Sequence, residues 1–226
     1  MSVHLVVINL KKRNDRWISL QKHLDEFKSK LPFIASVHRL EAVECNPPSK
    51  GCMLSHANAI RLAKDQFWDR VLVVEDDVRF QENILDTWNA VQDTLSTNTS
   101  WSVVFGGSVR IRPNDVKPHT PNLLKLSYPN GIFTGTHCML YNSKSFDAIL
   151  QCIEEESKSE FPYHLDLLLS TKLNTTNSPF FLTVPYLALF IEKDVSDIRI
   201  GKDTTIDYQN IVDAQKTATR CINLRK

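Results

Sequence analysis

Val71-Leu72-Val73-Val74-Glu75-Asp76-Asp77 sets four apolar residues directly before three carboxylates. The apolar run is short, mostly β-branched and uninterrupted. It predicts a strand buried on both faces, the usual pattern of a mainly parallel sheet. Three adjacent acids repel one another, so the motif calls for a counterion. Ligands in open α/β sheets bind beyond the carboxyl ends of strands, where these acids would stand. Alternate side chains of a strand share a face and lie about 7 Å apart. Glu75 and Asp77 are therefore expected to point one way and Asp76 the other. Mg²⁺ and Mn²⁺ favour such a set, with phosphate and water completing the shell. The competing reading is a solvated acidic turn capping the next helix.

Upstream, Val3 to Leu10 reads as another buried strand, closed by Lys11, Lys12 and Arg13. Asn14 or Asp15 then caps a helix whose apolar face is Trp17, Leu20, Leu24, Phe27 and Leu31. Phe33 to Val43 reads as extended, residues 46–51 as a Pro-rich loop, and Met53 to Phe67 as a helix. Downstream, Ile84 to Leu95 is helical in pattern and Trp101 to Phe105 strand-like. Pro113 to Pro129 reads as a surface excursion beside the active site. Phe133 to Tyr141 predicts a strand, Ser143 to Glu155 and Leu165 to Leu173 helices, and Phe180 to Phe190 a last strand. The alternation predicts an α/β fold with a mainly parallel central sheet flanked by helices. One domain over residues 1–200 is expected, with 201–226 a tail or peripheral helix.

The chain has 226 residues, with Lys plus Arg 27 and Asp plus Glu 26. Near-neutral charge excludes binding of nucleic acid or anionic membrane by bulk electrostatics. No apolar run approaches the roughly 20 residues of a membrane span. The N-terminal run has its cations after it, the reverse of a signal peptide. Five cysteines without a CxxC pair predict free thiols in a reducing compartment, so a soluble, cytoplasmic location is expected. The sequons at Asn98 and Asn174 then read as chance matches.

Two further groups hold candidate chemistry. Asn9 to Arg16 (NLKKRNDR) leaves the first strand and opens the first helix. Helix starts and cations bind anions, so Arg13 and Arg16 are candidate diphosphate or base-edge contacts. Surface ion pairing is the other reading. Gly51-Cys52-Met53-Leu54-Ser55-His56 opens a helix one strand before the acids. His56 is placed to contact a phosphate, ribose or sugar, or else is a structural helix residue. Cys52 reads as a small buried hydrophobe.

These groups together resemble glycosyltransferase family 25, the lipooligosaccharide and collagen hydroxylysine sugar transferases. Ile8-Asn9-Leu10 with Arg13, Asp15 and Arg16 looks like the family's opening motif, and Gly51-Cys52 with Leu54-Ser55-His56 its second. Val71 to Phe80 (VLVVEDDVRF) resembles its acidic metal motif. Trp101 to Gly107 is similar to the next strand, with Ser102 in place of an acid. Gly135 to Tyr141 resembles a later strand. His164-Leu165-Asp166 is similar to a proline-leucine-aspartate segment, and Ser196-Asp197-Ile198 to a closing element.

The resemblance implies a GT-A fold of Rossmann type and a nucleotide-sugar donor, UDP-Gal or UDP-Glc. It implies inverting transfer of a hexose to a hydroxyl, on a glycan, a lipid-linked saccharide or a protein, with Mn²⁺ or Mg²⁺ as cofactor. By the same resemblance Glu75 and Asp77 handle metal and ribose with Asp76 in support. Asn9, Arg13 and Arg16 lie near the nucleotide. Asp166 is the expected catalytic base, with Asp197 second.

An inactive nucleotide-sugar-binding protein of the same fold is one alternative. A phospho-receiver domain is another, but about 70 residues precede the acids here, and Asp115 lacks an apolar strand before it. GxGxxG, GxxxxGK, G-x-S-x-G and HExxH are absent, which argues against a nucleotidyltransferase, a serine hydrolase and a zincin.

Overall fold

The structure is a computed structural model that describes residues 2–190 and 205–223. Val3–Asn9 forms β1, and the chain returns through α1 (Asn14–Glu26) to β2 (Ile34–Glu41). Arg13 occupies the N-cap of α1 without a side-chain cap, so neither Asn14 nor Asp15 caps it. α2 (Pro48–Asp65) starts five residues before the expected Met53. Proline fits the first helical position, where its missing N–H costs no bond. The predicted loop over 46–51 is therefore mostly helix.

β3 (Arg70–Glu75) carries the acidic motif, followed by β4 (Val78–Phe80), α3 (Ile84–Thr97) and β5 (Val103–Phe105). The expected surface excursion is instead a hairpin, β6 (Val116–Thr120) and β7 (Leu123–Leu126), which extends the main sheet. Leu123, Leu124 and Leu126 are buried there. β8 (Cys138–Asn142) is shorter than expected. α4 (Phe146–Ser157) and α5 (Leu165–Lys172) follow. The expected last strand is split around Pro185 into β9 (Phe180–Thr183) and β10 (Ala188–Phe190), which belong to different sheets. α6 spans Thr205–Asn223.

Among the described residues the main sheet has eight strands in the order β2-β1-β3-β8-β5-β9-β7-β6, and β10 pairs with β4 in a small second sheet. Six of the eight strands share one direction, with β8 and β7 reversed. The expected α/β class, with a mainly parallel sheet between helices, is the one observed.

Helices cover both faces. On one face α3 buries Ile84, Trp88, Val91 and Leu95, and α1 buries Leu20. On the other, α2 buries Met53, Ala57, Ile60 and Ala63, beside Ile149 and Ile153 of α4 and Ile211, Ala214 and Ala218 of α6. The strands alternate between these cores. Val71 and Val73 of β3 face the α2 side, while Leu72 and Val74 face the α3 side. Both positions are fully buried, which explains the unbroken apolar run.

Candidate functional site

β1 and β3 are parallel neighbours whose register sets Ile8 opposite Glu75. The next residues, Asn9 and Asp76, therefore meet where the strands end. Asn9 Nδ2 donates to Asp76 Oδ2 at 2.5 Å. Arg39 of β2 donates Nε to Asn9 Oδ1 at 3.0 Å. Arg16 of α1 donates Nη1 to Asp76 Oδ1 at 3.0 Å and lies 3.6 Å from Asp77 Oδ2. Burial pushes the Asp76 carboxyl above its ordinary value, against the pull of Asn9 and Arg16.

The expected alternation of the three acids stops at the strand end. β3 closes at Glu75, and Asp76 and Asp77 form a turn. Arg16 therefore contacts both aspartates. Glu75 takes other partners, so the expected pairing of Glu75 with Asp77 on one face is not what the turn produces. Thr136 Oγ1 donates to Glu75 Oε1 at 2.5 Å, the Cys52 thiol lies 3.8 Å from that oxygen, and His56 Nε2 lies 3.9 Å from it. Burial, with the Glu75 charge beside it, holds the Cys52 thiol well above the ordinary cysteine value.

A cavity of about 1320 Å³ opens at this end of the sheet. Arg16, Glu75, Asp76, Asp77 and Asp166 line it, as do Cys52 and Thr136. Asp166 stands in the first turn of α5. Its Oδ2 accepts the Gly135 N–H at 2.7 Å and its Oδ1 the Leu167 N–H at 2.8 Å. Asn9 and His56 are buried behind the cavity wall instead of lining it. Arg13 also lies off the wall and pairs with Asp15 at 3.2 Å. The expected excursion 113–129 does not border the cavity. Asp197 lies outside the described residues. Ser102 is buried against Ser178, away from the cavity, and Asn174 of the second sequon is 2% exposed.

Three lining residues, Cys52, Thr136 and Asp213, escaped the sequence reading as site groups, whereas His56 was a candidate and lies behind the wall. Cys52 and His56 stand four apart, so they share a helix face, a spacing that signals a joint site. Thr136 carries no such signal. α6 contributes Asp213, on a helix whose small buried residues hide its periodicity.

No family model matches the chain. It is 25% identical over 150 residues to human procollagen galactosyltransferase 2, covering 55% of this chain and 24% of that protein. The mouse protein matches at 24% identity over 145 residues, so the chain spans about a quarter of the length of these curated relatives. Among solved structures, a glycosyltransferase involved in glycosylation of the major capsid of PBCV-1 superposes with a TM-score of 0.47 at 10% identity, covering 73% of this chain and 72% of that one. No helix among the described residues is long and apolar enough to cross a membrane.

Proposed function

We propose that the chain is a glycosyltransferase of the family-25 type. It moves a hexose from UDP-galactose or UDP-glucose to a hydroxyl of a glycan, a lipid-linked saccharide or a protein. The reaction inverts the anomeric centre and uses Mn²⁺ or Mg²⁺. The observation that carries this reading is the placement of Glu75, Asp76 and Asp77 at the carboxyl end of β3, on the wall of a cavity of about 1320 Å³. That volume exceeds the roughly 300–1,000 Å³ of a single small-ligand pocket, leaving space for donor and acceptor together. The distant similarity to procollagen galactosyltransferase 2 supports the same reading.

The donor set fits a hard divalent cation. Asp76 has both oxygens engaged, by Asn9 and Arg16, and serves as an anchor. Asp77, 14% exposed and on the wall, would hold the metal, while Glu75 turns to Thr136, Cys52 and His56. A cation there would supply the charge that stabilises the departing diphosphate. Arg16 adds a fixed positive charge at the same place. Asn9 acts as a positioning residue, tying β1 to the acidic turn.

Asp166 is the proposed base, oriented by its two backbone N–H donors. The acceptor oxygen bonds to the anomeric carbon as the bond from that carbon to the diphosphate breaks. The hydroxyl proton passes to Asp166. Asp197 is the second candidate for this role.

The test is thermal stability with UDP, GDP or buffer, each with Mn²⁺ or with EDTA. A ligand at about 100 times its Kd adds about 2.7 kcal/mol, which raises the midpoint of a chain this size by roughly 5–10 °C. A rise with UDP that needs Mn²⁺ and is lost in Asp77→Asn is expected. The same shift with EDTA, or in Asp77→Asn, would remove Asp77 from a metal site.

A further inference from the structure

Cys52 and His56 are four residues apart on α2, and both turn toward Glu75 at the end of β3. One atom of each of the three (Cys52 Sγ, His56 Nε2, a Glu75 carboxylate oxygen) lies within 4.8 Å of the other two. Zn–S bonds of about 2.3 Å and Zn–N bonds of about 2.0 Å place tetrahedral ligand atoms roughly 3.3–3.6 Å apart. Sγ and Nε2 stand 3.8 and 3.9 Å from Glu75 Oε1, so a small contraction brings them to such distances.

His56 supplies an independent observation. It is 0% exposed, and its Nε2 has no hydrogen-bond partner. Its Nδ1 lies 2.8 Å from the Tyr141 hydroxyl, which itself donates to Met139 Sδ at 3.2 Å. With the hydroxyl hydrogen directed to sulfur, Nδ1–H is the donor of the His56–Tyr141 pair. Nε2 then presents a bare lone pair to a carboxylate oxygen. Two acceptor lone pairs facing each other in a buried site call for a positive centre between them, which either a proton on His56 or a metal ion supplies. An outer hydrogen bond on the far ring nitrogen is also how metal-bound imidazoles are oriented.

We propose that Cys52, His56 and Glu75 form a second metal site, suited to Zn²⁺, with its fourth position open to the cavity. The donor set of thiol, imidazole and carboxylate matches a borderline-soft ion, whereas Asp77 offers hard oxygen. Cys52 and Glu75 line the cavity, which gives the ion a route in. As the metal–sulfur bond forms, the thiol proton leaves to solvent, so binding releases a proton. The site stands independently of the transferase reading.

The experiment treats the full chain with EDTA, desalts it, and titrates Co²⁺ as a spectroscopic probe. We expect visible tetrahedral d–d bands and a near-ultraviolet thiolate-to-cobalt band, both removed by one equivalent of Zn²⁺. Cys52→Ser abolishes the charge-transfer band, and His56→Gln weakens Co²⁺ binding at least tenfold. Asp77→Asn keeps both features. Cys52→Ser changes one atom at the cavity wall, so it carries the test even if His56→Gln fails to fold. A thiolate band that survives Cys52→Ser, or none in the folded wild-type chain, overturns the site. In that case a Mn²⁺-dependent UDP shift would still stand, and only the zinc inference would fall.

Discussion

Arg16 and Asp76 form an ion pair at 3.0 Å whose side chains are only 7% and 8% exposed. It joins α1 to the turn after β3, so the wall of the cavity depends on it. Removing one partner from a buried pair strands the other charge, at a cost of about 3–5 kcal/mol. Arg16→Met should lose that much stability in urea unfolding. The double variant Arg16→Met with Asp76→Leu should recover part of it, since Asp77 still loses Arg16. Single and double variants of equal stability would show that the pair is not coupled.

Asp166→Asn tests the base. The amide keeps one acceptor oxygen but turns an N–H₂ toward one of the two backbone donors, Gly135 or Leu167. Transfer should fall about 10²–10⁴-fold, the range that general base catalysis supplies. UDP binding should stay within a few-fold of wild type. Initial-rate and binding measurements on the same preparation decide it, and unchanged transfer would exclude Asp166.

Gly51 lies in the first turns of α2, and a Cβ there would meet the Val43 carbonyl oxygen at 2.4 Å. Glycine-to-alanine in a helix ordinarily gains up to about 1 kcal/mol. Here the obstacle is backbone, and Val43 cannot easily withdraw because its N–H donates to Ser55 Oγ at 2.8 Å. The sign should invert, with Gly51→Ala destabilising by roughly 1–3 kcal/mol, as overpacking does. Val43 also lines the cavity, so nucleotide binding should weaken in parallel. Thermal denaturation is sufficient to read the sign.

His23 predicts an acid-sensitive step. Its Nε2 accepts the Phe80 N–H at 2.9 Å, a bond only the neutral ring can make. Burial, with the Arg79 charge adding to it, pushes its pKa down to about 4 from 6.5. Between those values the unfolded chain binds the proton and the folded chain does not. The contribution of His23 is therefore complete above pH 6.5 and is lost as pH falls toward 4. The loss is roughly 1–3 kcal/mol. Unfolding free energies across this window should show a slope that His23→Gln reduces.

The parts of the fold that were legible in the sequence are those whose pattern is local. β3 shows in its apolar run because both its faces are buried, and α3 shows in the 4, 3, 4 spacing of Ile84, Trp88, Val91 and Leu95. The hairpin over 116–126 was hidden by its prolines. Pro118 is compatible with a strand only because β6 is the sheet edge, where a missing N–H leaves no ladder bond unmade. α6 was obscure because Ala214, Ala218 and Cys221 bury small side chains that barely register as an apolar stripe. At the site, the acids and Arg16 were visible as charges out of place. That Glu75 would turn to Cys52 and Thr136 depends on where β3 ends and on how β8 is registered against it, and neither is written locally.

The alternation of side chains along the central strands has a consequence for unfolding. Neighbouring residues of β3 belong to opposite cores, as do Val103 and Val104 of β5 and Leu140 and Tyr141 of β8. Neither helical layer can peel away without uncovering strands that the other layer still needs. The two cores are thus one cooperative unit, and heat or denaturant should melt them in a single transition, with far-ultraviolet and tryptophan signals superimposing.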